Sequence, residues 1–273
     1  MFGKLLKNDL KAQWHSMSTI FTVIFIVAAI GELATIISDN RITIVFGGLA
    51  VVLSLLFACI FIIIAVAMMF SKTLFGRAGY LTLTLPVKTS SLLWSKTASS
   101  LIWVFSVYLL FIGSFFMWVY QVKETFGGDV VESAEAILSI FGVPTFKVIS
   151  IVIIFLCISL SFSVLLIVQS LYFGIACSNV SPVSKFGNLG AIAIFAVLFL
   201  VLQKLSTEIS SSIPIGMVVS PEIITFTSNT TKTAMEIADA VKINFVGPLL
   251  RLIFGIALHF PTVYLIRNKV NVK

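Results

Sequence analysis

Six long apolar segments constrain the fold of this 273-residue chain more than any other feature. A helix of about 20 apolar residues crosses the hydrocarbon core of a bilayer. Only 11% of the residues are charged, against about 25% in a soluble domain. The sequence therefore predicts an all-α integral membrane protein with six transmembrane helices in a single transmembrane domain over 1–273. The predicted spans are Met17–Ile37, Ile42–Phe70, Thr97–Tyr120, Val148–Cys177, Phe186–Gln203 and Ile243–Ile266.

Basic residues are distributed unevenly between the two sides that six spans would create. The N-terminus, the 71–96 loop, the 178–185 loop and the C-terminus together hold eleven Lys and Arg and one acid, Asp9. The remainder holds seven basic and ten acidic residues. Because basic residues are retained in cytoplasmic loops, we expect a protein of the cell membrane with both termini in the cytoplasm. The net charge of +7 is then explained by basic residues beside the membrane lipids on the cytoplasmic side. We do not expect nucleic acid as a partner.

The first sixteen residues have the pattern of an amphipathic helix. Five apolar side chains recur at helical spacing while three lysines lie toward the other side. Such a helix lies in the membrane interface with its lysines toward lipid phosphates. We predict an elbow helix over 1–16, with a simple extension of the first span as the alternative. The apolar residues are Phe2, Leu5, Leu6, Leu10 and Trp14, and the lysines are Lys4, Lys7 and Lys11.

Two long loops are predicted on the outer side, at 121–147 and 204–242. The stretch DVVESAEAILSIFG in the first has helical periodicity, with Asp129 as its cap. The second is mildly apolar and broken by Pro214, Gly216 and Pro221, which indicates a re-entrant or interfacial segment. TAMEIADAVK, near the end of that loop, predicts a short surface helix.

Glu32 and Arg251 are charged residues within apolar segments, each near the predicted outer end of its span. A charge at such a depth is costly unless it is paired. We hypothesise that Glu32 and Arg251 form an ion pair between the first and last helices. In the alternative, each side chain reaches outer-surface water independently.

Motifs for catalysis, nucleotide binding and metal binding are absent from the sequence. There is no GxxxxGK[ST] loop, no HExxH and no GxSxG. Cys59, Cys157 and Cys177 have no metal-ligand spacing, and we interpret them as small apolar residues in helices. We therefore expect no catalytic, cofactor-binding or metal-binding residues in this chain.

The segment RAGYLTLTLPVKTSSLLWSK is a polar, basic insert between the second and third spans. It resembles the loop after the second span in ABC-2 type transporter permeases, especially the six-span subunits of Gram-positive bacterial exporters. Arg77 stands where such permeases often carry an acid. The residues that match the pattern are Tyr80, Leu81, Thr82, Leu83, Thr84, Leu85, Pro86 and Lys96.

The resemblance implies a permease subunit that is not itself an enzyme. In that family the loop, here 71–96, is a coupling helix that docks on separate ATP-binding cassette subunits, which bind ATP and Mg²⁺. A second permease subunit, identical or similar, completes the path. The few charges within the spans favour an apolar or amphipathic cargo, such as an antimicrobial peptide, lipid or drug. The implied coupling residues are Phe75, Gly76, Arg77, Gly79, Tyr80, Leu81, Leu83 and Pro86.

Other functions are compatible with the same composition. A secondary transporter or channel works without an ATPase, and it would show paired broken helices. A membrane sensor subunit would bind a ligand with its acidic outer loops. The loop itself has a passive alternative, a connector with aromatic residues in the interface, while Ser90 or Ser91 is a candidate cap of the third helix.

Overall fold

The computed structural model describes residues 2–37, 41–76, 87–126, 146–180, 183–220, 224–230 and 241–268. Six long helices account for most of these residues. A short 3-10 helix, Val183–Phe186, precedes α5. The helices are α1 (Phe2–Ile37), α2 (Arg41–Leu74), α3 (Thr89–Phe126), α4 (Phe146–Ser178), α5 (Gly187–Ser212) and α6 (Val246–Asn268).

Each predicted span overlaps one of these helices, although the sixth was predicted from Ile243, which lies before α6. Within the described part of the chain, four helical stretches are long and apolar enough to cross a membrane. The structure is therefore mostly helical and compatible with a membrane protein. The four stretches are Phe2–Gly31, Ile154–Ser178, Val183–Ser212 and Val246–Asn268.

Several helices extend beyond the apolar segments that predicted them. The third begins at Thr89 and continues to Phe126, so it includes residues assigned to both flanking loops. The fifth continues to Ser212, well into the predicted outer loop at 204–242. Helical hydrogen bonding does not stop where a side chain becomes polar, so hydropathy alone makes these helices too short. The predicted helix capped by Asp129 lies outside the described residues.

The N-terminal segment forms one helix with the first predicted span. Residues predicted as an elbow begin α1, which runs without interruption from Phe2 to Ile37. These bounds agree with the alternative, in which the segment extends the span. Gln13 and Met17 are buried, whereas Trp14 is 64% exposed.

Close helix packing organises the bundle. The fourth helix packs against both α5 and α6, while α1 packs against α2 and α3. Glycines permit two of these contacts: a Cβ on Gly174 would lie 2.8 Å from the Ala191 carbonyl oxygen, and one on Gly255 would lie 3.1 Å from Leu165 Cγ. The α4 backbone and its neighbours therefore approach closely at small residues.

A three-stranded antiparallel sheet lies between α5 and α6 in the chain. Its strands are β1 (Gly216–Val219), β2 (Ile224–Thr227) and β3 (Val241–Asn244), in the order β2-β1-β3. The prediction of an all-α fold is wrong here. The predicted surface helix TAMEIADAVK is also wrong at its last two residues, which belong to β3. Short runs of β-branched residues pair through their backbones. These pairings satisfy backbone groups that no helix uses.

Candidate functional site

Buried polar side chains are concentrated near the start of α3, at the boundary between the predicted 71–96 loop and the predicted third span. Its residues from Ser95 to Ser100, SKTASS, are all buried except Ala98, which is half-buried. A buried polar group is costly without a hydrogen-bond partner, and these side chains find partners on other helices. We call this stretch, together with Asp9 and Gln13 of α1 and Gln169 and Tyr172 of α4, the basal layer.

An ion pair joins α1 to α3 within the basal layer. Lys96 Nζ lies 3.1 Å from Asp9 Oδ1, and the two side chains are only 7% and 18% exposed. The Ser95 hydroxyl donates a hydrogen bond to the other carboxylate oxygen of Asp9. The one acid among the predicted cytoplasmic segments is therefore the partner of a buried lysine. Removing one member of such a pair leaves an uncompensated charge in a poorly solvated site.

Uncharged hydrogen bonds extend the basal layer on both sides of α3. The Gln13 amide donates to the Ser99 hydroxyl at 2.9 Å, which adds a second bond between α1 and α3. The Gln169 amide of α4 donates to Thr97 Oγ1 at 3.1 Å. Each serine or threonine hydroxyl in turn donates to a carbonyl one turn earlier in α3. The direction of each contact is therefore fixed by the α3 backbone.

Tyr172 connects the basal layer to α2. Its hydroxyl group lies 2.7 Å from Ser100 Oγ and also donates to the Lys96 carbonyl oxygen at 3.3 Å. Its ring stacks on Phe70, with ring centroids 3.8 Å apart and planes within 10°. The side chain of Tyr172 is fully buried. Its hydroxyl group is bound by α3, and its ring packs on α2.

The first turns of α3 also contact α6 through His259. A hydrogen bond of 2.9 Å joins Ser90 Oγ and His259 Nε2, so the hydroxyl predicted as a possible helix cap contacts another helix instead. Trp94 stacks on the same imidazole with ring centroids 4.5 Å apart. Side chains of α3 between Ser90 and Ser100 thus contact α1, α4 and α6.

The end of α2 is the other attachment of the predicted coupling loop. Phe75 is half-buried, and its ring packs edge-on against Phe70 at a centroid distance of 6.0 Å. Gly76 approaches the preceding turn closely, because a Cβ there would lie 2.5 Å from the Lys72 carbonyl oxygen.

Most of the predicted coupling residues lie in 77–86, outside the described residues. They are Arg77, Gly79, Tyr80, Leu81, Leu83 and Pro86. The structure therefore fixes the two ends of the loop, and the docking role of its central residues stays a prediction. Phe75 contacts the helical bundle with part of its ring, and its contact with an ATP-binding subunit also stays a prediction.

Arg251 contacts α4 through hydroxyl groups. Its guanidinium donates to Ser163 Oγ at 3.0 Å and makes a longer contact of 3.5 Å with Ser159 Oγ. The side chain of Glu32 lies outside the described part of the structure. The Glu32–Arg251 ion pair therefore stays a prediction, and Arg251 already has polar partners on a different helix from the one expected.

Metal-ligating and nucleophilic groups do not cluster in the described ranges. Within them, no three His, Cys, Asp or Glu side chains lie close enough to hold a metal ion. Cys157 and Cys177 are half-buried free thiols on α4. The side chains described at the start of α3 connect this helix to α1, α4 and α6.

Comparison with protein families, with curated proteins and with solved structures finds no match to this chain. The assignment of the candidate site therefore rests on the geometry described above and on the resemblance of the 77–96 segment.

The partners of Lys96 were the part of the site that sequence reasoning missed. The charge pattern alone places Lys96 among the basic residues beside the membrane and Asp9 as the one acid among them. The available signal was SKTASS itself, since several polar residues beside an apolar helical segment require polar partners on neighbouring helices.

Proposed function

We propose that this chain is the membrane-spanning permease subunit of an ABC exporter in a bacterial cell membrane. It would have six spans, with both termini and the 71–96 loop in the cytoplasm. The resemblance of the 77–96 segment, the excess of basic residues in these regions and the long apolar helices support the proposal. ATP and Mg²⁺ would be bound by separate ATP-binding cassette subunits.

The observation that carries the proposal is the connection of the loop to the basal layer. Residues 77–86 join the end of α2 to the first turns of α3, and side chains in those turns contact α1, α4 and α6. A displacement of the loop would therefore act on α3 directly, and on α1, α4 and α6 through the side chains packed against α3. Packed elements of this kind move as rigid bodies between discrete arrangements.

A second permease subunit is part of the proposal. Transport would follow a path formed by this chain and an identical or similar partner, lined by α1, α2 and α5. Large apolar side chains on α5 support the assignment, because they face away from the bundle and are well exposed in a single chain. They would contact lipid, the partner subunit or an apolar or amphipathic cargo. These residues include Leu189, Ile192, Val197 and Leu200.

Docking of an ATP-binding subunit tests the proposal directly. The full chain, tagged, would be co-expressed with the ATP-binding subunit encoded nearest to it and purified in mild detergent. We expect co-purification and ATP hydrolysis by the complex. Tyr80→Asp with Leu83→Asp should abolish both, because charges would replace the apolar anchors of the loop.

A matched control replaces an exposed aromatic residue by aspartate on the sheet, away from the loop. Phe226, on β2, is 76% exposed, and Phe226→Asp should leave docking unchanged. Equal membrane insertion of all variants, checked by yield and gel filtration, separates docking from folding. The proposal fails if no ATP-binding subunit binds the wild-type chain. It also fails if an ion gradient drives cargo transport by the reconstituted chain in the absence of an ATPase, as in a secondary transporter.

A further inference from the structure

A cavity of about 120 Å³ lies between α2, α3 and α4. Its lining is entirely aliphatic, so no side chain there provides a hydrogen-bonding group. The deeper residues are buried, whereas Ile63, Val104, Val164 and Ile167 at the rim are only half-buried. The cavity therefore has a closed floor and a partly open side. The remaining lining residues are Ile62, Val66, Val107, Val168 and Leu171.

Apolar side chains are also exposed on each of the three helices that line this cavity. Ile60 and Ile64 of α2, Ile102 and Phe105 of α3, and Leu160 of α4 are all exposed. Exposed apolar surface of this extent marks contact with a membrane or a partner. The fourth helix, which contributes to the rim, is one of the stretches long and apolar enough to span a bilayer. The medium outside the cavity is then hydrocarbon.

The chemistry of the lining excludes water as a favourable occupant. A buried water needs two to four polar partners, and apolar cavities of similar size stay dry and bind small hydrocarbons instead. An empty cavity would also lose dispersion contacts along its walls. A flexible hydrocarbon that is already present at the rim would restore those contacts.

We propose that this cavity binds the end of one acyl chain of a membrane phospholipid. The site lies within a single subunit, and it goes beyond the proposed transport function because it requires no ATPase and no cargo. Its floor is close to the basal layer: Leu171 precedes Tyr172, and Val66 lies one helical turn from Phe70. A bound chain would pack against the helices that the Phe70–Tyr172 stack joins.

Photolabelling with a lipid probe tests the site. The full chain would be reconstituted into vesicles of phosphatidylcholine and phosphatidylglycerol that contain no cargo. A trace of phosphatidylcholine would carry a diazirine at the end of one acyl chain. After irradiation, mass spectrometry should find the label concentrated on Val104, Val164 and Ile167. A diazirine placed next to the glycerol should not label these residues.

Filling the cavity gives the decisive comparison. Val104→Phe adds a ring at the rim, and labelling of Val164 and Ile167 on the facing helix should fall about tenfold, equivalent to about 1.4 kcal/mol. Val197→Phe is the matched control, because Val197 is 63% exposed on α5 and does not line the cavity. Its labelling pattern should equal that of the wild-type chain.

Two results would overturn the proposal. One is labelling of the lining residues at the same level as exposed side chains elsewhere, such as Ile154 and Leu200, which indicates only lipid around the protein. The other is labelling that Val104→Phe leaves unchanged. If Val104→Phe does not fold, Val164→Phe fills the rim from α4, and labelling is then measured on Val104.

Discussion

The start of α3 and the three-stranded sheet are held together in opposite ways. Side chains connect the basal layer, and they join residues that are 72 to 87 positions apart in the chain. Backbone pairing connects the sheet, and all of its strands lie between Gly216 and Asn244. The basal layer depends on the identity of a few side chains from several helices, whereas the sheet depends mainly on hydrogen bonds between backbones.

This difference indicates how each region tolerates change. A sheet accepts many side chains as long as its backbone hydrogen bonds can form, so a substitution there has local effects. The basal layer accepts few changes, because a lost partner leaves a buried polar group unsatisfied. Under the proposed function, the less tolerant region is the one that adjoins the coupling loop.

The largest effect is expected from Lys96→Met. The substitution leaves the Asp9 carboxylate in a mostly buried site without its cation, and it should lower the free energy of unfolding by about 3 kcal/mol. Denaturation in detergent, followed by tryptophan fluorescence, measures the change. Lys88→Met, at an exposed position in the same segment, is the control and should have little effect.

A double variant separates the ion pair from general packing. Asp9→Asn combined with Lys96→Met removes both charges, so it should be more stable than Lys96→Met alone. Equal destabilisation by Lys96→Met and Lys88→Met would show that the pair contributes nothing, and the contrast between the two regions would not hold.

The sheet should respond more locally to a backbone clash. A Cβ on Gly216 would overlap the Ile243 carbonyl, so Gly216→Ala should separate β1 from β3 and cost about 2 kcal/mol. Hydrogen exchange should become faster in 216–219 and 241–244 and stay unchanged in 89–100. Gly113→Ala, where a Cβ meets nothing within 4 Å, is the control. Faster exchange in α3 would show that the two regions are coupled.

The smallest effect is expected from Tyr172→Phe. The ring keeps its stack with Phe70 but loses the hydrogen bond to Ser100, so the free energy of unfolding should fall by about 1 kcal/mol. Tyr264→Phe, at a position that is 56% exposed, should change it little. If Ser100→Ala adds its full cost on top of Tyr172→Phe, then the two side chains do not interact, contrary to the structure.

The helices could be predicted from sequence because continuous apolar segments specify them. Their ends could not, since polar stretches such as TSSLLWSK before the third span and the residues up to Ser212 are also helical. The sheet was missed for a different reason. Each strand has only four residues, and the register of Met217 with Phe226 and Ile243 depends on contacts that no local pattern records.

The candidate site was predictable in position but not in its contacts. The 77–96 segment indicates the start of α3 as a candidate site, and the structure places buried polar side chains there. The pairing of Lys96 with Asp9 depends on the rotation of two helices about their axes, which charge counting does not give. The contact of His259 with Ser90 is likewise a product of helix packing.

The hydrogen bonds of α3 also define an order of assembly during synthesis. Asp9 and Gln13 are already made when Lys96 and Ser99 leave the ribosome, so the contacts with α1 can form first. Gln169 and Tyr172 follow about one-quarter of the chain later, and His259 arrives 169 residues after Ser90. A nascent chain therefore completes the environment of α3 only when α6 emerges, which makes the arrival of α6 the closing step in the assembly of these contacts.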